Sequence, residues 1–229
     1  MQMDSISPGV QLNSQERAYL FLKQRILSLE LKPNQKLTAQ EVAARLDVSR
    51  TPVREAFSRL EQEGFLVRQG GWGYAVCVVS FKDAMNTFRM RETLEVEAIK
   101  EVMPKLSPDV LNHLEIYLSR AEENLRAGKL REYRTNTRAF YRSIAHATDN
   151  NILEQMLAII DDRVRWIGAM ITNRNFDRPR ESLVENKKIL QALRSKDEGA
   201  AVASVRKHVS GARESFLMYV ARKQDPFQM

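Results

Sequence analysis

The sequence is poor in the features of secreted and membrane-spanning proteins. Its 229 residues include one cysteine, Cys77, so no internal disulfide can form, which suits a reducing compartment. The longest apolar runs, such as residues 166–171, are far too short to cross a bilayer. The first dozen residues lack the basic and apolar regions of a signal peptide. We therefore expect a soluble protein of the cytoplasm.

The sequence also lacks the motifs of the common enzyme classes. It contains no nucleophile with an adjacent base, no glycine-rich loop for phosphate and no complete set of metal ligands. We therefore predict that the chain is not an enzyme and has no catalytic residues.

The charge of the chain agrees with an anionic partner without identifying one. The formal net charge is +7 and the pI is about 9.6. Lys and Arg outnumber Asp and Glu by 10 to 8 in residues 1–79 and by 26 to 21 in residues 80–229. Because the excess is not concentrated in one segment, the interpretation depends on sequence motifs.

The most informative segment is residues 48–56, Val-Ser-Arg-Thr-Pro-Val-Arg-Glu-Ala, which opens a predicted helix. Ser49 can cap this helix with its side-chain oxygen. Pro52 suits the first turn, where the missing N–H has no intrahelical partner to lose. An i, i+3, i+4, i+7 pattern then predicts one buried apolar stripe. It consists of Val53, Ala56, Phe57 and Leu60.

The opposite face of this helix is polar and basic. Thr51 and Arg54 point away from the stripe, and Arg50 lies on its margin, from which a long side chain can turn outward. Such a face suits a recognition helix, because arginine can donate two hydrogen bonds to guanine in the major groove. The alternative is an ordinary solvated surface, in which Glu55 and Glu61 are the partners of the arginines.

The flanking segments predict a winged helix-turn-helix. Residues 38–46 are predicted to form a shorter helix that begins with a capping box of Thr38 and Glu41, followed by a tight turn. Farther along the chain, two β-rich runs, 65–68 and 74–78, surround a glycine-rich turn, which is typical of a hairpin.

We predict a mainly α-helical protein with two domains and a flexible arm. Residues 1–13 form the arm, and residues 14–79 form a winged helix-turn-helix domain whose first helix is capped by Ser14. Residues 80–229 show almost only helical periodicity and must form an all-α bundle, because each helix has an apolar stripe to bury. Breaks between its six predicted helices lie at 104–108, 128, 148–151, 173–179 and 195–199.

These N-terminal motifs resemble the GntR family of bacterial transcription regulators. The matching residues are Leu31-Lys32-Pro33, residues 48–56, Leu60, Glu63-Gly64 and Tyr74-Ala75-Val76 after the glycine turn. The helical domain resembles the FCD-type effector domain of the FadR branch, and six helices rather than seven resemble its VanR subgroup. Scattered matches in this domain are residues 91–95, Phe140, Asn150, Leu153, Glu185, Ile189, Leu190, Ala192, Asp197, Ala201 and His208.

The resemblance implies a homodimer that binds a palindromic double-stranded DNA operator, most often as a repressor. It assigns DNA contacts to Arg50, Thr51 and Arg54 in the major groove, Ser49 at a phosphate, and Gly70 or Gly71 in the minor groove. It also implies that a small organic effector in the helical domain changes the affinity for DNA. A regulator that is insensitive to ligands, with a collapsed pocket, is the alternative.

Many proteins of this branch bind a divalent metal in the bundle through one aspartate and three histidines. At the matching positions this sequence has Thr137, Tyr141, Asn186 and His208, so three of the four ligands are replaced by hydroxyl and amide groups. Such groups are poor ligands for zinc, nickel or manganese and good hydrogen-bonding groups. We therefore predict no tightly bound transition metal and direct binding of the effector by these four residues. The alternative is a closed pocket in which they satisfy one another.

Arg91 bears on the chemical class of the effector. It shares one predicted helical face with apolar residues and with Glu95, which places a guanidinium among buried neighbours. A buried arginine needs a partner. Two partners stay open at this point, namely an i, i+4 ion pair with Glu95 and a carboxylate group of the effector.

Overall fold

The computed structural model describes residues 12–71, 73–171 and 178–222. Nearly all of the predicted arm, residues 1–13, lies outside the described residues. The chain divides into two units, Met1–Val79 and Ser80–Met229, and each is described separately below. Within the described ranges, no helix is long and apolar enough to cross a membrane.

The first unit contains three helices and a small antiparallel sheet. Its elements in chain order are α1 (Ser14–Leu27), β1 (Lys36–Thr38), α2 (Ala39–Leu46), α3 (Arg50–Gln62), β2 (Leu66–Gln69) and β3 (Gly73–Val76). The strand order is β1-β3-β2. This arrangement confirms the predicted winged helix-turn-helix fold.

The start of α1 differs from the prediction by one residue. Asn13, rather than Ser14, is the capping residue, and its side-chain oxygen accepts a hydrogen bond from the backbone N–H of Glu16 at 2.8 Å. Asparagine and serine are comparable caps, so sequence alone gave no reason to prefer the first. The helix buries Ala18, Leu22 and Ile26 completely.

The helix-turn-helix is fixed by local signals. The hydroxyl of Thr38 accepts from the backbone N–H of Glu41, and the carboxylate of Glu41 accepts from the backbone N–H of Thr38, which confirms the capping box at the start of α2. Asp47 ends this helix in a left-handed conformation, with φ of 53°. The chain can therefore reverse direction within three residues and enter α3.

The predicted hairpin forms, and it gains a strand that the sequence did not indicate. Strands β2 and β3 pair across the glycine turn, with Arg68 opposite Tyr74. The unexpected strand, β1, pairs with the other edge of β3, where Leu37 lies opposite Tyr74. Three residues are too few to show a period of two, and β1 depends on a partner nearly forty residues away.

The second unit is a helical bundle, as predicted. Within residues 80–171 and 178–222 it contains α4 (Phe81–Val102), a 3-10 helix (Met103–Lys105), α5 (Pro108–Arg126), α6 (Leu130–Ala147), α7 (Asn151–Ile171), α8 (Arg178–Arg194) and α9 (Glu198–Arg222). The helices are separated near the predicted breaks. The expected break at 173–179 lies mostly outside the described residues, and α8 has already begun at Arg178.

Several helices of the bundle begin at a side-chain cap. Ser80 and Asp83 form a capping box on α4, and the hydroxyl of Ser107 accepts from the backbone of α5. The side-chain oxygens of Asn150 and Asp197 accept backbone N–H groups in the first turns of α7 and α9. These caps satisfy N–H groups that have no partner within the helix and so fix where each helix starts.

A continuous apolar core joins the helices of the second unit. Its buried members come from the 3-10 segment and all six helices or the loops that flank them, and include Ile99, Val102, Leu114, Leu118, Phe140, Ile144, Leu153, Ile189, Leu193, Ala201, Val205 and Val209. Tyr141 and Leu94 pack against this core from positions that are only half-buried. The polar residues described below therefore lie beside an apolar interior.

Candidate functional site

Helix α3 presents one buried face and one exposed face. Val53, Ala56, Phe57 and Leu60 are all fully buried, which confirms the predicted stripe. The polar residues at the start of the helix are exposed, namely Ser49, Arg50, Thr51 and Arg54. All of the DNA-binding residues that the sequence predicts for this helix are therefore exposed on the surface of the first unit.

The predicted cap at Ser49 is wrong in one respect. Ser49 occupies the capping position, but within the described residues its side chain makes no capping hydrogen bond. A capping oxygen accepts from the second or third residue of the helix, and the third residue here is Pro52, which has no N–H. No acidic residue lies in the first turn. The positive end of the helix dipole is thus exposed beside an uncommitted hydroxyl.

The wing carries a basic residue that the sequence did not single out. Arg68 on β2 is 65% exposed and lies 3.6 Å from the carboxylate of Glu61. It also donates to the hydroxyl of Tyr74 at 3.1 Å, and this hydroxyl donates to Glu61 at 3.3 Å. Glu61, which the solvated-surface alternative paired with the arginines of α3, is therefore bonded to the wing.

The tip of the wing contains the two predicted glycine contacts. Gly70 and Gly71 are both exposed, and a Cβ atom on either would meet nothing within 4 Å. Gly71 has φ of +80°, a conformation that other residues rarely adopt. Glycine is therefore needed at position 71 for its backbone conformation. The space around the turn is open.

A polar network fastens the C-terminal end of α3 to α1. The ammonium group of Lys23 donates to Glu63 at 2.8 Å and to the hydroxyl of Tyr19, which also donates to Glu63 at 2.8 Å. Arg59 lies over the ring of Tyr19, 3.6 Å from its centroid, and donates to Glu16 at 2.9 Å. Burial raises the pKa of the Tyr19 hydroxyl, so it stays a donor. The network joins α3 to α1, while the N-terminal end of α3 remains exposed.

The second unit contains a connected group of polar side chains that we call the polar cluster. It joins residues of α4, α6, α8 and α9 and consists of Arg91, Glu95, Tyr141, Arg178, Glu185, Asn186 and His208. Its members include four of the five sequence-predicted effector residues, namely Arg91, Tyr141, Asn186 and His208.

Arg91 bridges two helices of the cluster. Its Nε donates to Glu95 at 2.6 Å, which is the i, i+4 pair that the sequence left open, and its Nη2 lies 3.1 Å from Nε2 of His208. The side chains of Arg91 and Glu95 are 12% and 11% exposed. Although burial acts to lower it, the pKa of Arg91 is raised because the charge of Glu95 favours the guanidinium. Arg91 therefore stays charged and paired.

The bonds to His208 determine which nitrogen carries its proton. Nδ1 lies 2.9 Å from Oε2 of Glu185, which only accepts, whereas Nε2 faces Arg91, which only donates. A neutral ring satisfies both partners when the proton is on Nδ1 and the lone pair is on Nε2. Burial lowers the pKa of His208, and this favours the neutral form.

Glu185 is held by two donors from different directions. Its carboxylate accepts from His208 and, at 2.9 and 2.7 Å, from both terminal nitrogens of Arg178. Burial acts to raise the pKa of Glu185, but the hydrogen bonds from His208 and Arg178 outweigh it and lower the pKa to about 2. Glu185 is therefore ionised and fixes the orientation of the His208 ring.

The guanidinium of Arg178 lies directly on the backbone of α9. Nη2 donates to the carbonyl oxygen of His208 at 3.1 Å. A Cβ atom on Gly211 would lie 2.9 Å from Nη1 of Arg178, closer than real contacts of this kind. Glycine at this position therefore allows Arg178 to approach α9 and to connect it with α8.

Tyr141 connects His208 to Asn186. Its ring stacks on the ring of His208 with centroids 5.4 Å apart, and its hydroxyl donates to Oδ1 of Asn186 at 2.7 Å. Burial raises the pKa of Tyr141 well above its ordinary value, so the hydroxyl stays protonated. Thr137, the remaining predicted effector residue, donates instead to the backbone carbonyl of Tyr133 one helical turn earlier, at 3.0 Å.

Two buried atoms of the cluster have no hydrogen-bond partner among the described residues. They are Oε2 of Glu95, an acceptor, and Nδ2 of Asn186, a donor. Asn186 is fully buried and Glu95 is 9% exposed. Buried polar atoms are rarely left unpaired in proteins, because losing hydration without a replacement bond is unfavourable.

The residues of the cluster do not fit the metal that the resemblance implies. The hydroxyls and amide at three of the four positions are poor ligands for such metals. At the fourth, the Nε2 lone pair of His208 already faces a guanidinium that donates to it. Within the described ranges, no group of three or more His, Cys, Asp or Glu side chains is placed to hold a metal ion.

Sequence reasoning missed one residue of the cluster altogether. Arg178 follows a segment without recognisable periodicity, and nothing in the sequence indicates that it reaches Glu185 and α9. Glu185 itself was among the scattered family matches but had no assigned role. His113 and His146 lie on exposed surfaces of α5 and α6.

Comparison with known proteins gives matches to both units. Residues 14–76 match the family described as bacterial regulatory proteins, gntR family, and residues 86–211 match the FCD domain.

Similar proteins cover nearly the whole chain. A transcriptional regulator of Bacillus subtilis, YdhC, is 26% identical over 192 residues, which are 83% of this chain and 85% of that protein. The transcriptional repressor RspR of Escherichia coli is 24% identical over 217 residues, 92% of this chain and 91% of that protein. The solved structure of E. coli McbR/YncC superposes with a TM-score of 0.77 at 22% identity, over 93% of this chain and 99% of that one.

Proposed function

Because the chain belongs to the gntR family of bacterial regulatory proteins and carries an FCD domain, we propose that it binds a palindromic operator as a homodimeric repressor whose DNA affinity responds to a small organic effector. The family and its relatives are transcription regulators and not enzymes. The FadR-type branch follows from the FCD domain, and the VanR subgroup stays a prediction.

The exposed N-terminal end of α3 is the observation that supports DNA binding most directly. Arg50, Thr51 and Arg54 project from a helix whose other face is fully buried, so they can enter the major groove without disturbing the core. Ser49 and the uncapped N–H groups beside it suit a phosphate, because hydroxyl, amides and helix dipole all favour an anion there.

The wing offers a second contact with the duplex. The open space around Gly70 and Gly71 allows the backbone of the turn to approach the minor groove closely. Arg68, exposed on the adjoining strand, adds a positive charge in the same element and suits the phosphate backbone. We expect these contacts to contribute affinity more than sequence preference.

A homodimer is supported by the exposed apolar surface of α7. Ile152 is 73% exposed and Met156, one helical turn later, is 43% exposed. Two large apolar side chains on one helical face are unfavourable in water and suit burial against a partner. A two-fold dimer would present two copies of α3 to two half-sites, as a palindromic operator requires.

The polar cluster is the proposed effector site. Its two unpartnered atoms, Oε2 of Glu95 and Nδ2 of Asn186, have hydrogen-bonding capacity that no described residue uses. Thr137 shares the face of α6 with Tyr141 and would form part of the wall. A carboxylate effector, bound by the remaining N–H groups of Arg91, stays a prediction from the sequence. The effector would act by preferring one arrangement of the dimer over another.

The ligand-insensitive alternative has an observation in its favour. Tyr141 bonds Asn186, and Arg91 bonds both Glu95 and His208, so several residues satisfy one another as a collapsed pocket requires. The two unpartnered atoms weigh against it, since a collapsed pocket would be expected to pair them.

A two-part experiment tests the proposal. Purified full-length protein is used to select binding sequences from random duplex DNA, and the enriched sites are expected to be short palindromes bound by two subunits. Adding fractionated metabolite extract to that complex is then expected to change its affinity in at least one fraction. Failure to enrich any sequence would contradict the DNA-binding proposal, and unchanged affinity in every fraction would favour the ligand-insensitive alternative.

A further inference from the structure

We propose that the polar cluster takes an uncharged, polyhydroxylated molecule, such as a sugar or a polyol, whose hydroxyl groups donate to Oε2 of Glu95 and accept from Nδ2 of Asn186. The inference deepens the proposed function by naming the class of the effector, and it rests on the cluster being the effector site. It also replaces the carboxylate effector, which the sequence left open as one of two partners of Arg91.

The two unpartnered atoms need different hydrogen-bonding partners, one a donor and the other an acceptor. Oε2 of Glu95 can only accept while the carboxylate is ionised, and Nδ2 of Asn186 can only donate. A carboxylate ligand could satisfy Asn186 but would face Glu95 with an oxygen of like charge. An alkyl ammonium could satisfy Glu95 but would offer Asn186 nothing to bond. An alcohol hydroxyl both donates and accepts, so of these three groups it is the one that suits both atoms.

The charges of the cluster are already paired one to one. Arg91 is bonded to Glu95, and Arg178 is bonded to Glu185 through both terminal nitrogens. His208 has its Nδ1 directed at Glu185 and its Nε2 directed at Arg91, which a neutral ring satisfies. The two positive and two negative groups thus cancel, and among the described residues of the cluster no cation is left over for an anionic ligand.

An anionic effector would therefore have to break an existing pair. To bond a carboxylate fully, Arg91 would have to leave Glu95, whose buried carboxylate would then lose the one ion-pair partner that it has among the described residues. Leaving one member of a buried pair uncompensated is strongly unfavourable. A neutral ligand fills the vacant hydrogen bonds of Glu95 and Asn186 and leaves both ion pairs intact.

Crystals of the full-length protein soaked separately in glycerol and in sodium acetate test the chemical class. Glycerol is a small neutral polyol, and acetate is a small carboxylate of similar size. We expect a glycerol hydroxyl within hydrogen-bond distance of Oε2 of Glu95 or Nδ2 of Asn186, and we expect no acetate on Arg91. Acetate bonded to Arg91, or water alone beside both atoms in the glycerol crystals, would overturn the inference.

A variant that removes the negative charge of Glu95 tests the pairing argument in solution. Glu95→Gln removes the carboxylate that occupies Arg91, so acetate is expected to bind the variant on the order of tenfold more tightly than the wild type. Glu97→Gln is the matched control, because Glu97 lies on the same helix, is half exposed, and pairs only with Lys100 at 3.7 Å among the described residues. Affinity is measured by titration calorimetry. Equal acetate affinity in wild type and Glu95→Gln would contradict the inference.

The glycerol and acetate experiments can fail independently of the DNA-binding experiment. If the selected operator is bound normally but acetate occupies the cluster of the wild type, the hydroxyl inference fails while the proposed function stands. If glycerol binds as expected but no DNA sequence is enriched, the proposed function fails and the cluster remains a site for neutral hydroxyl groups.

Discussion

Nη2 of Arg91 lies 3.1 Å from Nε2 of His208, at the lone pair through which a histidine would otherwise bind a metal ion. The relationship joins two helices that are more than a hundred residues apart in sequence, and it puts a fixed positive charge where a metal-binding relative would need a vacant nitrogen. The sequence indicated the loss of three ligands. The structure shows that the fourth has a different partner.

The first prediction concerns metal content. Purified, untagged protein incubated with zinc, nickel or manganese and then dialysed is expected to retain no stoichiometric metal, because Arg91 occupies Nε2 of His208 and its charge repels a cation. Mass spectrometry per mole of subunit measures the retained metal. One tightly held ion per subunit that His208→Gln abolishes would contradict this account of the cluster.

The second prediction concerns acid stability. The pKa of His208 is lowered in the folded protein, so the unfolded chain binds the extra proton first and stability is lost as the pH falls below about 6.5. The pKa of Glu185 is lowered from 4.5 to about 2, so its contribution is present above pH 4.5 and is lost as the pH falls from there towards 2.

Urea unfolding between pH 7.5 and pH 3 measures both effects. His208→Gln is expected to reduce the loss of stability between pH 6.5 and pH 4.5. The loss below pH 4.5, which comes from Glu185, is expected to remain. His146→Gln, at an exposed histidine of α6, is the control and should follow the wild type. A His208→Gln profile parallel to the wild type between pH 6.5 and 4.5 would be inconsistent with a buried neutral histidine.

The third prediction concerns Arg178. Arg178→Met removes the bidentate donor from Glu185 and the bond to the carbonyl of His208, and it is expected to destabilise the protein by about 2 kcal/mol. Arg126→Met, at an arginine that is 75% exposed and paired with Glu122, is expected to change stability by less than about 0.5 kcal/mol. Equal effects of the two substitutions in urea unfolding would show that Arg178 does not hold α8 to α9.

The fourth prediction compares the effect on stability of the residues that precede α3 and α2, Ser49 and Thr38. Ser49→Ala is expected to change the free energy of unfolding by less than about 0.5 kcal/mol, because Ser49 makes no capping bond. Thr38→Ala is expected to cost about 1 kcal/mol, because it removes the hydroxyl that accepts a hydrogen bond from the backbone N–H of Glu41. Operator affinity of Ser49→Ala should nevertheless fall if its hydroxyl binds a phosphate. A stability loss at Ser49 as large as at Thr38 would contradict the assignment.

Local sequence signals accounted for the parts of the fold that depend on neighbouring residues. The apolar stripe of α3, the capping box of Thr38 and the helix breaks at Pro108 and Gly128 each follow from residues close in sequence. Among the scattered family matches, Asn150 and Asp197 are helix caps and Phe140 and Ile189 are core residues, so their spacing has a structural cause.

The errors and omissions arose where distant residues or a missing group decided the outcome. Strand β1 depends on pairing with β3, and Arg178 reaches Glu185 and α9 across the start of α8. The cap at Ser49 failed because Pro52 removes the N–H that it would bond. Of the two partners of Arg91, the helical face could name only Glu95, which is one turn away. His208 lies on a distant helix and could not be named as a partner of Arg91 in this way.

The measurement that tests the central claim most directly is the affinity of Arg54→Ala for the selected operator, by fluorescence anisotropy beside wild type and the exposed-arginine control Arg126→Ala. We predict that Arg54→Ala loses about 1–3 kcal/mol of specific binding, because in the proposed complex its side chain would bond a base edge in the major groove. Arg126→Ala, on the helical unit, should bind like the wild type. Unchanged specific binding by Arg54→Ala would contradict the assignment of α3 as the DNA-reading helix.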